Sequence, residues 1–316
     1  MKTESNLERL LEEDHFVVTG ELGPPKGADA EAVKKKAELF RGYVDAINIT
    51  DNQTAIVRMS SIACGVILKE LGLEPVIQIV CRDRNRLAIE SDVLGAAALG
   101  ISNILSLSGD HQRLGNHPQA KNVFDIDSIQ LIQILKVMRD EKKLSSEDKL
   151  TVAPKLYIGA AENPFADPFE FRAIRLAKKI RAGCDFIQTQ GIFDVPKFKE
   201  WMHIIRDKGL DKQIHILAGL IPIKSPGMAH YMRDYVSGIT LPDEIVSRME
   251  DAQNPKEEGV KICLEIIEQL REIRGVHGIH IMAVAWEKII PEIVEKAKLL
   301  PRPGQNNGGL NNGRRG

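Results

Sequence analysis

Cysteine is scarce and scattered: Cys64, Cys81, Cys184 and Cys263 are the only four in 316 residues, with no CxxC spacing and no companion histidine motif. That argues against a zinc or iron–sulfur centre built from this chain alone, and it fits the reduced thiols of a cytoplasmic protein. No stretch stays apolar for the roughly 18 residues that a membrane-spanning helix requires. The opening MKTESNLERLLEEDH is charged and lacks the apolar centre of a secretory leader, so a soluble, cytoplasmic protein is expected. Charge of one sign is missing too. Lys and Arg total 43 against 44 Asp and Glu, a formal net charge of -1, so nothing global draws the chain to nucleic acid or to an anionic membrane. There is no GxGxxG after the first strand candidate, no His/His/carboxylate cluster, no nucleophile elbow and no Cys–His pairing by motif. These absences speak against an open dinucleotide-binding sheet, a resident metal and covalent hydrolysis.

What is present is alternation. Short β-branched runs take turns with longer stretches whose apolar residues recur at three- and four-residue spacing. FVVTGEL (16–22), AINIT (46–50), PVIQIV (75–80), ILSLS (104–108), KLYIGAA (155–161), CDFIQTQ (184–190), QIHILAGLI (213–221) and GIHIMAV (278–284) read as strands. Helical patterns follow them, as in DAEAVKKKAELFRG, IDSIQLIQILKVMRDEKK and FEFRAIRLAKKIRAG, several stopping at glycine. About eight strand–helix units at this length predict an α/β fold of the (β/α)8 TIM-barrel type. Residues 1–300 form the single barrel in this reading. Residues 301–316, rich in Gly and Asn, are expected to be a disordered tail.

In a parallel barrel, ligands bind at the carboxyl ends of the strands. ILSLSGDH ends there on a small-residue turn and an acid, Asp110, which taken alone reads equally as a cap of the next helix. Other strands end in kind: Glu21, Thr50 with Asp51, Cys81 with Arg82, Glu162 with Asn163, Gln190, and Lys224 beyond LAGLIPI. An acidic, amide-rich cup of this sort suits a flat, nitrogen-rich heterocycle that is gripped by its edge and protonated.

The motifs VTGELGPPKG, AINITDNQ, VIQIVCRD, LSLSGD, FIQTQGIFD and LAGLIPI, in this order at these strand ends, resemble the methylenetetrahydrofolate reductase family. The resemblance runs from about Phe16 to the mid-280s. It implies a (β/α)8 flavoprotein of one-carbon metabolism and methionine biosynthesis, which reduces 5,10-methylenetetrahydrofolate to 5-methyltetrahydrofolate with hydride from N5 of a reduced flavin. It assigns Glu21 as the general acid, its pKa raised by burial. Asp110 becomes a catalytic and folate-binding carboxylate beside the flavin, and Gln190 a pterin-binding amide. Thr50, Gln78, Cys81, Leu107, Ser108, Gly109, Asp110, Phe124, Asp125, Ala160, Asn163 and Lys179 fall at flavin-binding positions, with Lys179 supplying charge to phosphate. Gln78 stands where the family often has histidine, Ser108 where it often has arginine, and Phe124 with Asp125 where it often has tyrosine and alanine. These departures set FMN beside FAD as the flavin. GIHIMAVAWE lacks the arginine that follows the last strand in members using NAD(P)H directly. Electrons are therefore expected either from NADH or from an iron–sulfur partner subunit, in an oligomer or hetero-complex. A pterin-dependent methyltransferase barrel and a non-catalytic flavin- or folate-binding homologue are the alternatives.

Overall fold

Successive side chains on a strand face opposite ways, and in this chain that parity separates two cores. Val18, Ile47, Ile77, Ile104, Ile158, Ile187, Ile216 and Ile279, one from each of eight strands, face outward into the layer shared with the helices. Val17, Ala46, Val76, Leu105, Tyr157, Phe186 and Leu217 face inward and form a second, smaller cluster. The computed structural model describes residues 1–236 and 238–303. Its strands are β1 (Val17–Leu22), β2 (Ala46–Ile49), β3 (Pro75–Val80), β4 (Asn103–Leu107), β5 (Tyr157–Glu162), β6 (Phe186–Gly191), β7 (His215–Leu220) and β8 (Gly278–Ile281). They close in chain order into an all-parallel barrel, β8 pairing with β1 through Val17↔Gly278 and Thr19↔His280. This is the (β/α)8 barrel expected from the alternation. Among the described residues no helix is long and apolar enough to cross a membrane.

The inward cluster is completed by a short helix, Asn6–Glu12, whose Leu7, Leu10 and Leu11 fill the amino-terminal end of the barrel with no residual exposure. Ser5 caps it by accepting from the Glu8 N–H at 3.0 Å, and the buried Glu8 carboxylate accepts from the Thr3 N–H at 2.7 Å. Above this plug Tyr157 stacks on Phe186 with ring centroids 5.2 Å apart. Gly159 makes room for that pair: a Cβ there would sit 2.3 Å from the Phe186 ring.

Two buried aspartates pin the strand starts. Asp45 accepts from the Val18 N–H at 2.8 Å and Asp185 from the Ile158 N–H at 2.7 Å. Each is neutralised by an arginine, Arg139 on Asp185 at 2.7 Å and Arg302 on Asp45 at 3.1 Å. Arg302 is 5% exposed, so the disordered tail expected from residue 301 does not begin there. The rest of that expectation, residues 304–316, lies outside the described residues. The β7–β8 connection also differs from the sequence reading, which expects one helix. Among the described residues it holds three, Pro226–Tyr235, Asp243–Asp251 and Pro255–Arg271. Prolines mark each start, at the cap (Pro242) or in the first turn (Pro226, Pro255), where a missing N–H costs nothing.

Candidate functional site

Going up the barrel axis from the apolar floor, the inward positions turn polar. Thr19 of β1, Asn48 of β2, Gln188 of β6 and His280 of β8 are all at most 2% exposed and bonded into one chain. Gln188 Nε2 donates to Asn48 Oδ1 at 3.0 Å and lies 3.4 Å from Thr19 Oγ1, which in turn is 2.9 Å from His280 Nδ1. His280 Nε2 then lies 3.9 Å from Oε2 of Glu21, two residues beyond Thr19 on the same face of β1. Glu21 retains 13% of its side-chain exposure. The expected general acid thus stands at the mouth with a buried imidazole behind it. Sequence reasoning missed Thr19, Asn48, Gln188 and His280. The signal was strand parity: Thr19, Asn48 and Gln188 each lie two residues before a residue it did single out (Glu21, Thr50, Gln190), and His280 pairs in register with Thr19.

At the same carboxyl ends of the strands stand other expected residues with free polar groups. Asp110 is exposed and its carboxylate has no hydrogen-bond partner among the described residues. Gln190 is half-buried with its carboxamide likewise unengaged. Thr50, just past the end of β2, has a buried hydroxyl with no partner among the described residues. Gln78 is buried on the inward face of β3, its main-chain oxygen accepting from Ser61 Oγ at 2.8 Å. Leu107 packs on the inner cluster from β4. Gly109 takes a φ of 89° and lies so close to Val80 and Arg82 that a Cβ would come within 3.2 and 3.1 Å of theirs. Ser108 Oγ accepts from the Ser128 N–H at 3.3 Å. Phe124, at a φ of 40° and 39% exposed, is tied to β3 by its N–H on the Cys81 carbonyl at 3.2 Å. Asn163 Oδ1 accepts from the Phe165 N–H at 3.0 Å, and its Nδ2 lies against Gly238.

Four expected flavin positions are engaged otherwise. The Ala160 side chain packs outward among the helices. Cys81 also faces outward and is fully buried, and that burial, with Asp127 nearby, pushes its thiol up to about 12. Both leave only main-chain atoms for a ligand. Asp125 is gripped by the Arg86 guanidinium at 2.8 Å and by its N–H at 3.0 Å, contacts that hold its carboxyl down at about 2. Lys179 is 4% exposed and donates to Glu162 Oε2 at 2.7 Å and to the Ala161 carbonyl at 2.5 Å, so its charge is already spoken for. Lys224, beyond β7, reaches the carbonyl of Val284 at 3.3 Å.

An orphaned hydroxyl, two free amides, a free carboxylate, a close-lying glycine and an exposed phenyl ring suit a flat heteroaromatic ring with both donors and acceptors. Thr50, Gln78, Leu107, Gly109 and Phe124 could hold such a cofactor. Clefts of about 630 and 660 Å³ open at the other end of the barrel, around Asn103 and His215. The free polar groups at the strand carboxyl ends, rather than cleft size, locate the site. Among the described residues no group of His, Cys, Asp and Glu is arranged to hold a metal ion.

Fold and site together define a (β/α)8 barrel with a candidate small-molecule site at its strand carboxyl ends. Residues 6–298 match the family described as methylenetetrahydrofolate reductase, and the chain belongs to that family. It is 27% identical over 248 residues to methylenetetrahydrofolate reductase 2 of Saccharomyces cerevisiae, covering 75% of this chain and 38% of that protein. To a probable methylenetetrahydrofolate reductase (NADPH) of Caenorhabditis elegans it is 22% identical over 310 residues, covering 93% of this chain and 44% of the relative. The chain thus spans less than half the length of the curated relatives it matches. Among solved structures, an uncharacterized Clostridium thermocellum protein, described as binding two copies of 5-methyl-5,6,7,8-tetrahydrofolic acid, has the same fold. Its TM-score is 0.67 at 16% identity, over 93% of this chain and all of that one.

Proposed function

We propose that this barrel reduces 5,10-methylenetetrahydrofolate to 5-methyltetrahydrofolate. The observation that carries the reading is Glu21, in the barrel mouth 3.9 Å from His280 Nε2, with the free Asp110 and Gln190 groups at the same carboxyl end of the strands. A bound reduced flavin, FAD or alternatively FMN, supplies the hydride. Glu21 donates a proton to the bridged folate, whose ring opens to the iminium that accepts hydride. Asp110 accepts from pterin N–H groups and Gln190 hydrogen-bonds the same ring, which fixes its face and distance. Thr50, Gln78, Leu107, Ser108, Gly109, Phe124 and Asn163 form the flavin cradle. Cys81 and Ala160 contribute main chain to it, while Asp125 and Lys179 act through their partners Arg86 and Glu162. Family membership, the names of the fungal and nematode relatives and the folate bound by the Clostridium thermocellum protein all support this substrate class.

Electrons reach the flavin from NAD(P)H or from an iron–sulfur partner subunit in a hetero-complex. The segment after β8, Met282–Trp286, offers no arginine and leaves Val284 49% exposed, which favours the partner. An anaerobic absorbance titration tests both levels. Bleaching of the bound flavin by 5-methyltetrahydrofolate supports the folate chemistry, and bleaching by NADH as well removes the need for a partner. A properly loaded protein that stays oxidised with 5-methyltetrahydrofolate overturns the proposal.

A further inference from the structure

Arg82 lies just past the end of β3, one residue beyond Cys81, and is 2% exposed. Its guanidinium forks onto Asp83, Nε to Oδ1 at 2.7 Å and Nη2 to Oδ2 at 2.6 Å. The remaining donors go to main chain: Nη1 to the Asp110 carbonyl at 3.1 Å and Nη2 to the Asn52 carbonyl at 3.2 Å. Its own N–H donates to the Ser108 carbonyl at 3.0 Å, and its carbonyl accepts from the Val123 N–H at 2.8 Å. One side chain therefore joins the loops after β2, β3 and β4, and its backbone holds the far end of the β4 loop.

Such burial is tolerable only for a paired guanidinium. Burial by itself would raise the Asp83 carboxyl, but the Arg82 fork and the Asn52 amide outweigh it and hold the carboxyl below its usual value. The planar fork also matters for reach. Four of its five fixed donors serve a carboxylate and two carbonyls at once, whereas a lysine ammonium on a flexible stem cannot.

We infer that Arg82 is a positioning residue for Asp110: by fixing the Asp110 carbonyl and the Ser108–Gly109 backbone, it leaves the Asp110 carboxylate projecting unpaired into the mouth. This rests on the folate-reducing reading above. Arg82 acts through Asp110 and touches no reacting atom.

The test is a double-mutant cycle on flavin-loaded protein, read as the anaerobic rate of flavin reduction by 5-methyltetrahydrofolate. Arg82→Lys, which keeps the charge, is expected to bind flavin and melt cooperatively yet react roughly tenfold more slowly. Arg82→Gln serves as the second variant. In protein already carrying Asp110→Ala, Arg82→Lys is expected to cost less than about twofold, because the group it positions is gone. Penalties that multiply overturn the inference. Amide hydrogen exchange gives a readout independent of the reaction. Residues 108–111 are expected to exchange about tenfold faster in Arg82→Lys than in the parent protein, and unchanged exchange there overturns the inference. A parent protein whose flavin does not react with 5-methyltetrahydrofolate defeats the functional reading, while the exchange experiment still decides the role of Arg82.

Discussion

Asn48 and Gln188 exchange carboxamide hydrogen bonds across the barrel interior, Gln188 Nε2 to Asn48 Oδ1 at 3.0 Å and Asn48 Nδ2 back to Gln188 Oε1 at 2.5 Å. They come from β2 and β6, strands that face each other in a ring of eight. Each satisfies the other where water is excluded. Gln188→Leu is expected to strand the Asn48 amide and lower the free energy of unfolding by about 2 kcal/mol. The double change Asn48→Leu/Gln188→Met should cost less than the sum of the single ones. Urea midpoints of the three variants check both statements.

Glu21→Gln keeps the shape of the side chain and removes its transferable proton. Folate-dependent reduction or oxidation of the flavin is expected to slow by about 10² to 10⁴-fold, with flavin content unchanged. His280→Gln, which disturbs only the group behind Glu21, should cost less. Single-turnover stopped-flow absorbance separates the two. A Glu21→Gln protein as fast as its parent removes the proposed acid.

Arg302 also joins distant parts of the chain. Its guanidinium spans the Asp45 carboxylate, the Leu299 carbonyl at 2.7 Å and the Phe16 carbonyl at 2.8 Å. Arg302→Leu leaves a buried, uncompensated Asp45 and is expected to destabilise by about 3 to 5 kcal/mol. Thermal melting reads this directly, and a loss under about 1 kcal/mol contradicts the burial of the pair.

His277 makes acid stability measurable. Burial, and then the neighbouring His215 ring with its centroid 5.0 Å away, hold its pKa down at about 4 against an ordinary 6.5. Between those values the unfolded chain binds a proton that the folded one refuses. The folded state therefore keeps its full stability above pH 6.5 and loses it as the pH falls toward about 4. Burial lowers His215 in the same direction. A loss on the order of 2 kcal/mol is expected from His277 between about pH 7 and pH 4.5. His277→Asn, which can still accept from the Ile216 N–H that Nδ1 now accepts at 3.1 Å, should flatten that slope in urea unfolding followed across pH.

The barrel was legible because each strand carries an outward β-branched residue and each turn a glycine, proline or acid. PVIQIV matches β3 residue for residue. Strand-end acids such as Glu21 and Asp110 were legible for the same reason, since strand direction fixes which end is the mouth. Parity was not used, so Ala160 was placed in the site although it faces the helices, while Thr19 and Gln188 were passed over. Lys179 read as a charge available to phosphate on an amphipathic helix. Only the folded chain shows Glu162 and the Ala161 carbonyl closing over it. Asp45 and Arg302 lie 257 residues apart, beyond any local pattern. Leu7, Leu10 and Leu11 sit among charges in a helix of seven residues, too short to announce an apolar face.

Those three leucines decide how the interior communicates with water. With the amino-terminal end stoppered, the chain of side groups from Asn48 to His280 is closed from below and leads upward toward Glu21. The buried imidazole is thereby cut off from water at the floor of the barrel, with the Glu21 carboxylate 3.9 Å away on its open side.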